Sequence, residues 1–242
     1  MPEFAWWTAR GLQGRFPSNS IGEQPWRRLV EDIENLRGGA PPEAYHSIFD
    51  RFLTSADSLR HRWPPHDECR LFISHRRNDV AEARDIAAIA KQEKYGYWLD
   101  VEDPVLQYAN NSPIQSPARE ILIASAIEIG LLNCSHVIGV MTSHTHGSKW
   151  VPYELGRAKQ RMVYSRFSAT WVDSQQTEHD CGEYIHLAVI NRSHQEVRNW
   201  LRSSRCTTPE PGEEATCCRP PRDLDDPANA LPDVPAELLA GR

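Results

Sequence analysis

Trp150 and Glu154 stand four residues apart in the stretch SKWVPYELGRA. On a helix that spacing projects both side chains from one face. Ser148 stands where a helix N-cap belongs, and Pro152 fits a first turn, whose amides have no helical partners. Just before it, HVIGVMT (136–142) reads as a short buried strand, followed by the polar loop SHTHG (143–147). A carboxylate and a large aromatic at the end of such a strand form a candidate site, because open α/β sheets bind ligands at that edge. The alternative placement packs Trp150 in the core and leaves Glu154 as a solvated first-turn acid favoured by the helix dipole.

Other polar residues fall at strand ends in the same way. CRLFISH (69–75) is an apolar strand running into the turn HRRN (75–78), and YWLD (97–100) is a second strand that ends in an acid. Ser74, His75, Arg76 and Arg77 are thus candidates at the first strand's end, where an arginine fork suits phosphate. Asp100 is placed either to bond a sugar hydroxyl or to cap its own turn. Ser143 and His144 are candidates to line the cleft. His144 and His146 lack a third ligand at metal spacing, and no metal site is expected. No GxGxxG turn is present, so a dinucleotide is not held here as in a dehydrogenase.

The elements that would position these residues alternate along the chain. Asp79, with Glu82 in capping-box spacing, is expected to start a helix with Val80, Ala83, Ala87 and Ala90 on its inner face. VEDPVLQYANNSPIQS (101–116) reads as a long loop. Residues 117–133 read as a helix, as do 149–163 and 193–202, and further strands are expected at 169–173 and 183–189. Five strands alternating with helices imply a parallel sheet covered on both faces.

Residues 1–65 read as a helical extension. Trp26, Leu29, Ile33 and Leu36 form one stripe, and Tyr45, Ile48, Phe49, Phe52, Ala56 and Leu59 a second. Two helices cannot bury both stripes alone, so they should pack on the following domain or on another subunit. Trp6 and Trp7 anchor that segment or belong to an interface. Residues 206–242 hold seven prolines and eight acids against three arginines, which reads as a disordered acidic tail. That tail carries −5 of the net charge of −6, which leaves the rest nearly neutral and without a nucleic-acid-binding stripe. Six cysteines without CxxC spacing fit reduced thiols, and no apolar run is long enough to span a membrane. A cytoplasmic location is the expectation.

LFISHRRND resembles the first conserved box of Toll/interleukin-1 receptor (TIR) domains, and SKWVPYELGRA resembles the family's W-x-x-x-E helix. YWLD sits where the family's second strand precedes its BB loop. The resemblance covers roughly residues 68–203, within a domain assigned to 66–205. The loop after Asp100 departs from the pattern, without an obvious R-D-x-x-P-G. The resemblance implies a flavodoxin-like domain and, as in many bacterial relatives, cleavage of NAD+ at its nicotinamide–ribose bond.

Glu154 would then be the catalytic carboxylate and Trp150 would shape its pocket. His75, Arg76 and Arg77 would reach the pyrophosphate, and Asp100 the ribose. NAD+ would be a substrate and no cofactor is implied. ADP-ribose or a cyclic product would be released, in a prokaryotic antiphage setting. Self-association through the 101–116 loop and the N-terminal helices is expected, with a separate effector or sensor as a further partner. A non-catalytic TIR scaffold and a nucleoside deoxyribosyltransferase-like enzyme are the competing readings.

Overall fold

A computed structural model describes residues 23–36, 40–60, 69–111, 118–161, 167–176 and 178–205. Trp6, Trp7, the boundary between residues 65 and 66 and the acidic tail lie outside the described residues. Five strands, β1 (Arg70–Ser74), β2 (Gly96–Trp98), β3 (His136–Met141), β4 (Ser168–Val172) and β5 (Val189–Asn191), form one parallel sheet in the order β2-β1-β3-β4-β5. That is the flavodoxin-like order. Such a sheet is apolar on both faces, and β1 and β3 are accordingly buried along their whole length.

The two faces take different helices. Leu71 and Ile73 of β1, with Ile138 and Val140 of β3, pack beneath α3 (Val80–Gln92) and α8 (His194–Ser204). Phe72, Val137 and Met141 alternate onto the other face, beneath α5 (Ala118–Asn133) and α6 (Trp150–Arg161). His136 is a core histidine on β3. Its Nε2 lies 3.0 Å from the Ser204 carbonyl oxygen, its Nδ1 lies 2.8 Å from Ser135 Oγ, and Tyr95, Phe167 and Trp200 meet it edge-on.

α5 carries buried residues almost all round its C-terminal two-thirds, as a helix covered on both sides must. Its outer side is covered by α1 (Glu23–Asn35) and α2 (Pro42–Arg60). Trp26, Leu29, Val30, Ile33, Ile48 and Phe52 join the same apolar cluster as Phe72 and Leu122, and Trp26 meets Phe52 at 4.7 Å between ring centroids. Of the two destinations open to the N-terminal stripes, they take the following domain.

Three expectations need correction. The segment after Asp100 is not one long loop: a tight helical turn at Asp100–Glu102 leads into α4 (Pro104–Asn111). Asp103 starts that helix by accepting the Val105 and Leu106 amides at 2.9 and 3.1 Å, while its other oxygen accepts Trp98 Nε1 at 2.9 Å. Trp98 in turn stacks on Phe72 at 4.4 Å and lies flat against Gly130, which has no side chain to obstruct it.

The fifth strand lies at 189–191 rather than 183–189. Gly182, at a φ of 87°, turns the chain into a tight helical turn at Glu183–Leu187, and pairing begins only where Val189 meets Ala169. Finally, the Asp79 side chain does not cap α3, because its carboxylate is taken by residues after β3.

Candidate active site

The switch in strand order falls between β1 and β3, whose chains leave the sheet in opposite directions and open a crevice at its C-terminal edge. Ser74, the last residue of β1, pairs in register with Gly139 of β3. Following Phe72 on the same strand face, Ser74 turns toward α6 and donates its hydroxyl to Glu154 Oε2 at 2.5 Å. Glu154 is only 6% exposed. Ser148 caps α6 as its position predicts, accepting the Val151 amide at 3.3 Å.

Burial is the largest influence on the Glu154 carboxyl, and raises it to about 7. The Ser74 hydrogen bond pulls the other way, and the negative charge of Asp100 adds to the rise. No described cation pairs with Glu154. Buried carboxylates are ordinarily paired, so one without a cation among the described residues, at this edge, is a candidate functional group.

Asp100, just past β2, therefore belongs to the same site as Glu154. Its side chain keeps 40% exposure, while its Oδ1 accepts the Val101 amide at 2.5 Å and stands 3.2 Å from Nε2 of the buried His75 ring. That approach lacks hydrogen-bond alignment, and Nε2 has no hydrogen-bond partner among the described residues. Burial raises the Asp100 carboxyl, against the pull of His75, the Val101 amide and Arg77. The helix alone offers one carboxylate; the fold supplies a second.

A further cluster sits on the α3 side of the crevice. Asp79, 1% exposed, accepts Thr142 Oγ1 at 2.8 Å and lies 2.7 Å from Nδ1 of His144. Arg76 extends Nη1 to the carbonyl oxygens of His144 and His146 at 2.5 and 3.2 Å. It thereby braces the loop 143–147, in which Ser143 is exposed. Arg77 is exposed beside it. Asp79 was legible in the sequence only as a helix cap, and nothing local signals its link to a residue 65 positions away.

Trp150 and Glu154 share the α6 face their spacing assigns but differ in burial. Trp150 is 43% exposed and packs edge-on against Tyr153 at 5.8 Å, while Glu154 is enclosed. This reverses the alternative that buried the tryptophan and solvated the acid. On the neighbouring side of α6, Tyr153 donates to Glu128 of α5, and Arg157 Nε reaches both Glu128 oxygens at 3.1 and 3.2 Å. Burial, then the Glu128 hydrogen bond, pushes the Tyr153 hydroxyl up to about 12. This contact fixes α6, and with it Glu154, against α5.

No protein-family model matches the chain, and no curated protein or solved structure matches it. Among the described residues, no helix is long and apolar enough to cross a membrane, and no three His, Cys, Asp or Glu side chains are grouped to hold a metal ion.

Proposed function

We propose that the chain cleaves the nicotinamide–ribose bond of NAD+, with Glu154 as the catalytic carboxylate. The observation that supports this reading most directly is a buried, cation-free glutamate, hydrogen-bonded by Ser74 at the β1–β3 switch point. Nicotinamide leaves as a neutral base, so its departure needs no general acid. The ribosyl carbon meanwhile develops oxocarbenium character, which a fixed carboxylate stabilises. The substrate also conditions the group. A pyridinium placed beside Glu154 favours its ionised form, so the cation that is to be cleaved offsets the burial that raises the free carboxyl.

Asp100 at the crevice rim is suited to a ribose hydroxyl, Arg77 to the pyrophosphate, and the exposed Trp150 ring to one wall of the pocket. The TIR resemblance points the same way and adds the expectation of a prokaryotic immune role with self-association. A pure TIR scaffold would have no use for an unpaired buried acid at this edge. Because two carboxylates share the crevice, a nucleoside-cleaving enzyme is the second reading. It uses the same Glu154 on neutral deoxynucleosides.

The test is nicotinamide release from NAD+ by purified protein at high concentration, beside Glu154→Gln and with deoxynucleosides as rival substrates. The expected result is release by the wild type and a fall of roughly a hundred- to a thousand-fold in the variant. Equal release from both proteins would remove Glu154 from the chemistry. Base release from deoxynucleosides alone would establish the second reading.

A further inference from the structure

His144 is a surface histidine with its polar atoms already committed, save one. Its amide donates to Thr142 Oγ1 at 3.0 Å, its carbonyl oxygen accepts Arg76 Nη1, and Nδ1 faces Asp79 Oδ1 at 2.7 Å. Thr145 secures the turn from beneath, with Oγ1 accepting the Thr142 amide and donating to the Val140 carbonyl, each at 3.0 Å. With Asp79 Oδ1 already accepting Thr142 Oγ1, the Nδ1 that faces it is placed to donate. That tautomer leaves Nε2 as a lone pair, and no described residue hydrogen-bonds it.

Holding an exposed imidazole still costs side-chain entropy, and the fold gains nothing from the ring's outer nitrogen. The other Asp79 oxygen is buried without a hydrogen-bond partner among the described residues, so even the positioning carboxylate is not fully satisfied by them. Loops built at such expense are commonly functional.

The position of the pair matters as much. Thr142 continues the β3 face of Ile138 and Val140, which α3 covers, while Ser74 and Glu154 lie on the face covered by α5 and α6. The Asp79–His144 pair and the Glu154 carboxylate therefore flank the β1–β3 crevice from opposite sides. A base and a charge-stabilising acid on opposite sides of a sugar leave room for an incoming acceptor.

Resting on the reading of Glu154 given above, we infer that His144, oriented by Asp79, is the general base that activates a hydroxyl acceptor. The acceptor, water or a sugar hydroxyl, forms the new bond from its oxygen to the ribosyl carbon. The carbon–nitrogen bond breaks with its electron pair leaving on nicotinamide. The acceptor's proton passes to His144 Nε2 and from there to solvent, and Asp79 holds the imidazolium in between.

A pyridine base separates this role from that of Glu154, because it captures a ribosyl cation without bringing a proton to be removed. NAD+ is supplied with and without 3-acetylpyridine to wild type, His144→Gln, Asp79→Asn and Glu154→Gln. ADP-ribose formation and pyridine exchange are both measured. His144→Gln is expected to lose hydrolysis by roughly a hundred-fold or more and to keep exchange within about three-fold. Asp79→Asn should follow in the same direction, and Glu154→Gln should lose both reactions. Retained exchange also shows that the His144 and Asp79 variants are folded. Equal loss of both reactions in His144→Gln, or hydrolysis that survives in it, overturns the base assignment. A wild type that yields neither product overturns the Glu154 reading and this inference together, which sets that failure apart from the others.

Discussion

The Ser74 hydroxyl and the Glu154 carboxylate are 80 residues apart in the chain and 2.5 Å apart in the fold. This hydrogen bond ties the end of β1 to α6 beside the β1–β3 crevice, and it joins the end of a central strand to a buried acid. The bond draws the Glu154 carboxyl down while burial and Asp100 drive it up, and burial wins. Two consequences of that balance can be measured.

The first concerns stability. A carboxyl raised from 4.5 to about 7 on folding is neutral in both states below pH 4.5, where it exerts no penalty. Between pH 4.5 and 7 the unfolded chain ionises it while the folded protein resists, so stability falls as pH rises and the full penalty is present above 7. Glu154→Gln removes that penalty and keeps a carbonyl to accept from Ser74. The variant is expected to be more stable at pH 8 by up to about 3 kcal/mol and to match the wild type near pH 4. Urea unfolding at the two pH values checks it.

The second concerns rate. In the proposed reaction the ionised Glu154 is the active form, so nicotinamide release should climb with pH through the neutral range. Ser74→Ala withdraws the hydrogen bond that favours ionisation and should move that rising limb to higher pH by about one unit. At pH 7 the variant should be several-fold slower, and it should recover toward pH 8.5. A profile of kcat/KM against pH decides it, since a merely damaged site would be slow at every pH.

Packing offers a separate expectation behind the site. A Cβ on Gly130 would sit 2.7 Å from Trp98 Cε2, too close for the ring to stay where it is. Gly130→Ala should push Trp98 off Phe72 and away from Asp103, at a cost of roughly 1–3 kcal/mol. A lowered urea midpoint with an altered near-ultraviolet dichroism signal would report both effects. An unchanged midpoint would mean that α5 can shift freely, contrary to its position between the sheet and α1–α2.

Strands β1 and β3 were plain in the sequence because a parallel sheet buries them completely, and each carries a continuous apolar run, LFI in β1 and VIGVM in β3, despite the buried Arg70 and His136 at their heads. α4 was missed because Pro104 reads as loop punctuation. Yet an acid followed by proline is also a helix start, and Asp103–Pro104 is one. Asp79 misled for a different reason. Its spacing to Glu82 is that of a cap, but Thr142 and His144 compete for the same carboxylate from across the sheet edge, and no local pattern reveals a partner 63 or 65 residues on. Glu154 and Trp150 were placed on the right helix and face. Their burial was beyond reach because it depends on how deeply α6 lies against Ser74 and Leu155 against Gly139.

The pairing of β1 with β3 also has a history in time. Arg70 and Ser135, which bind each other at the head of that pairing, are 65 residues apart. At ribosomal speeds of about 5–20 residues per second, β1 waits roughly 3–13 s for its central neighbour to be made. β2 is made within that interval and can pair with one edge of β1, while the other edge of the apolar strand stays open. An unpaired apolar edge invites pairing with other chains. The strand that later bonds Glu154 through Ser74 is therefore a segment of the newborn protein on which chaperone cover would act.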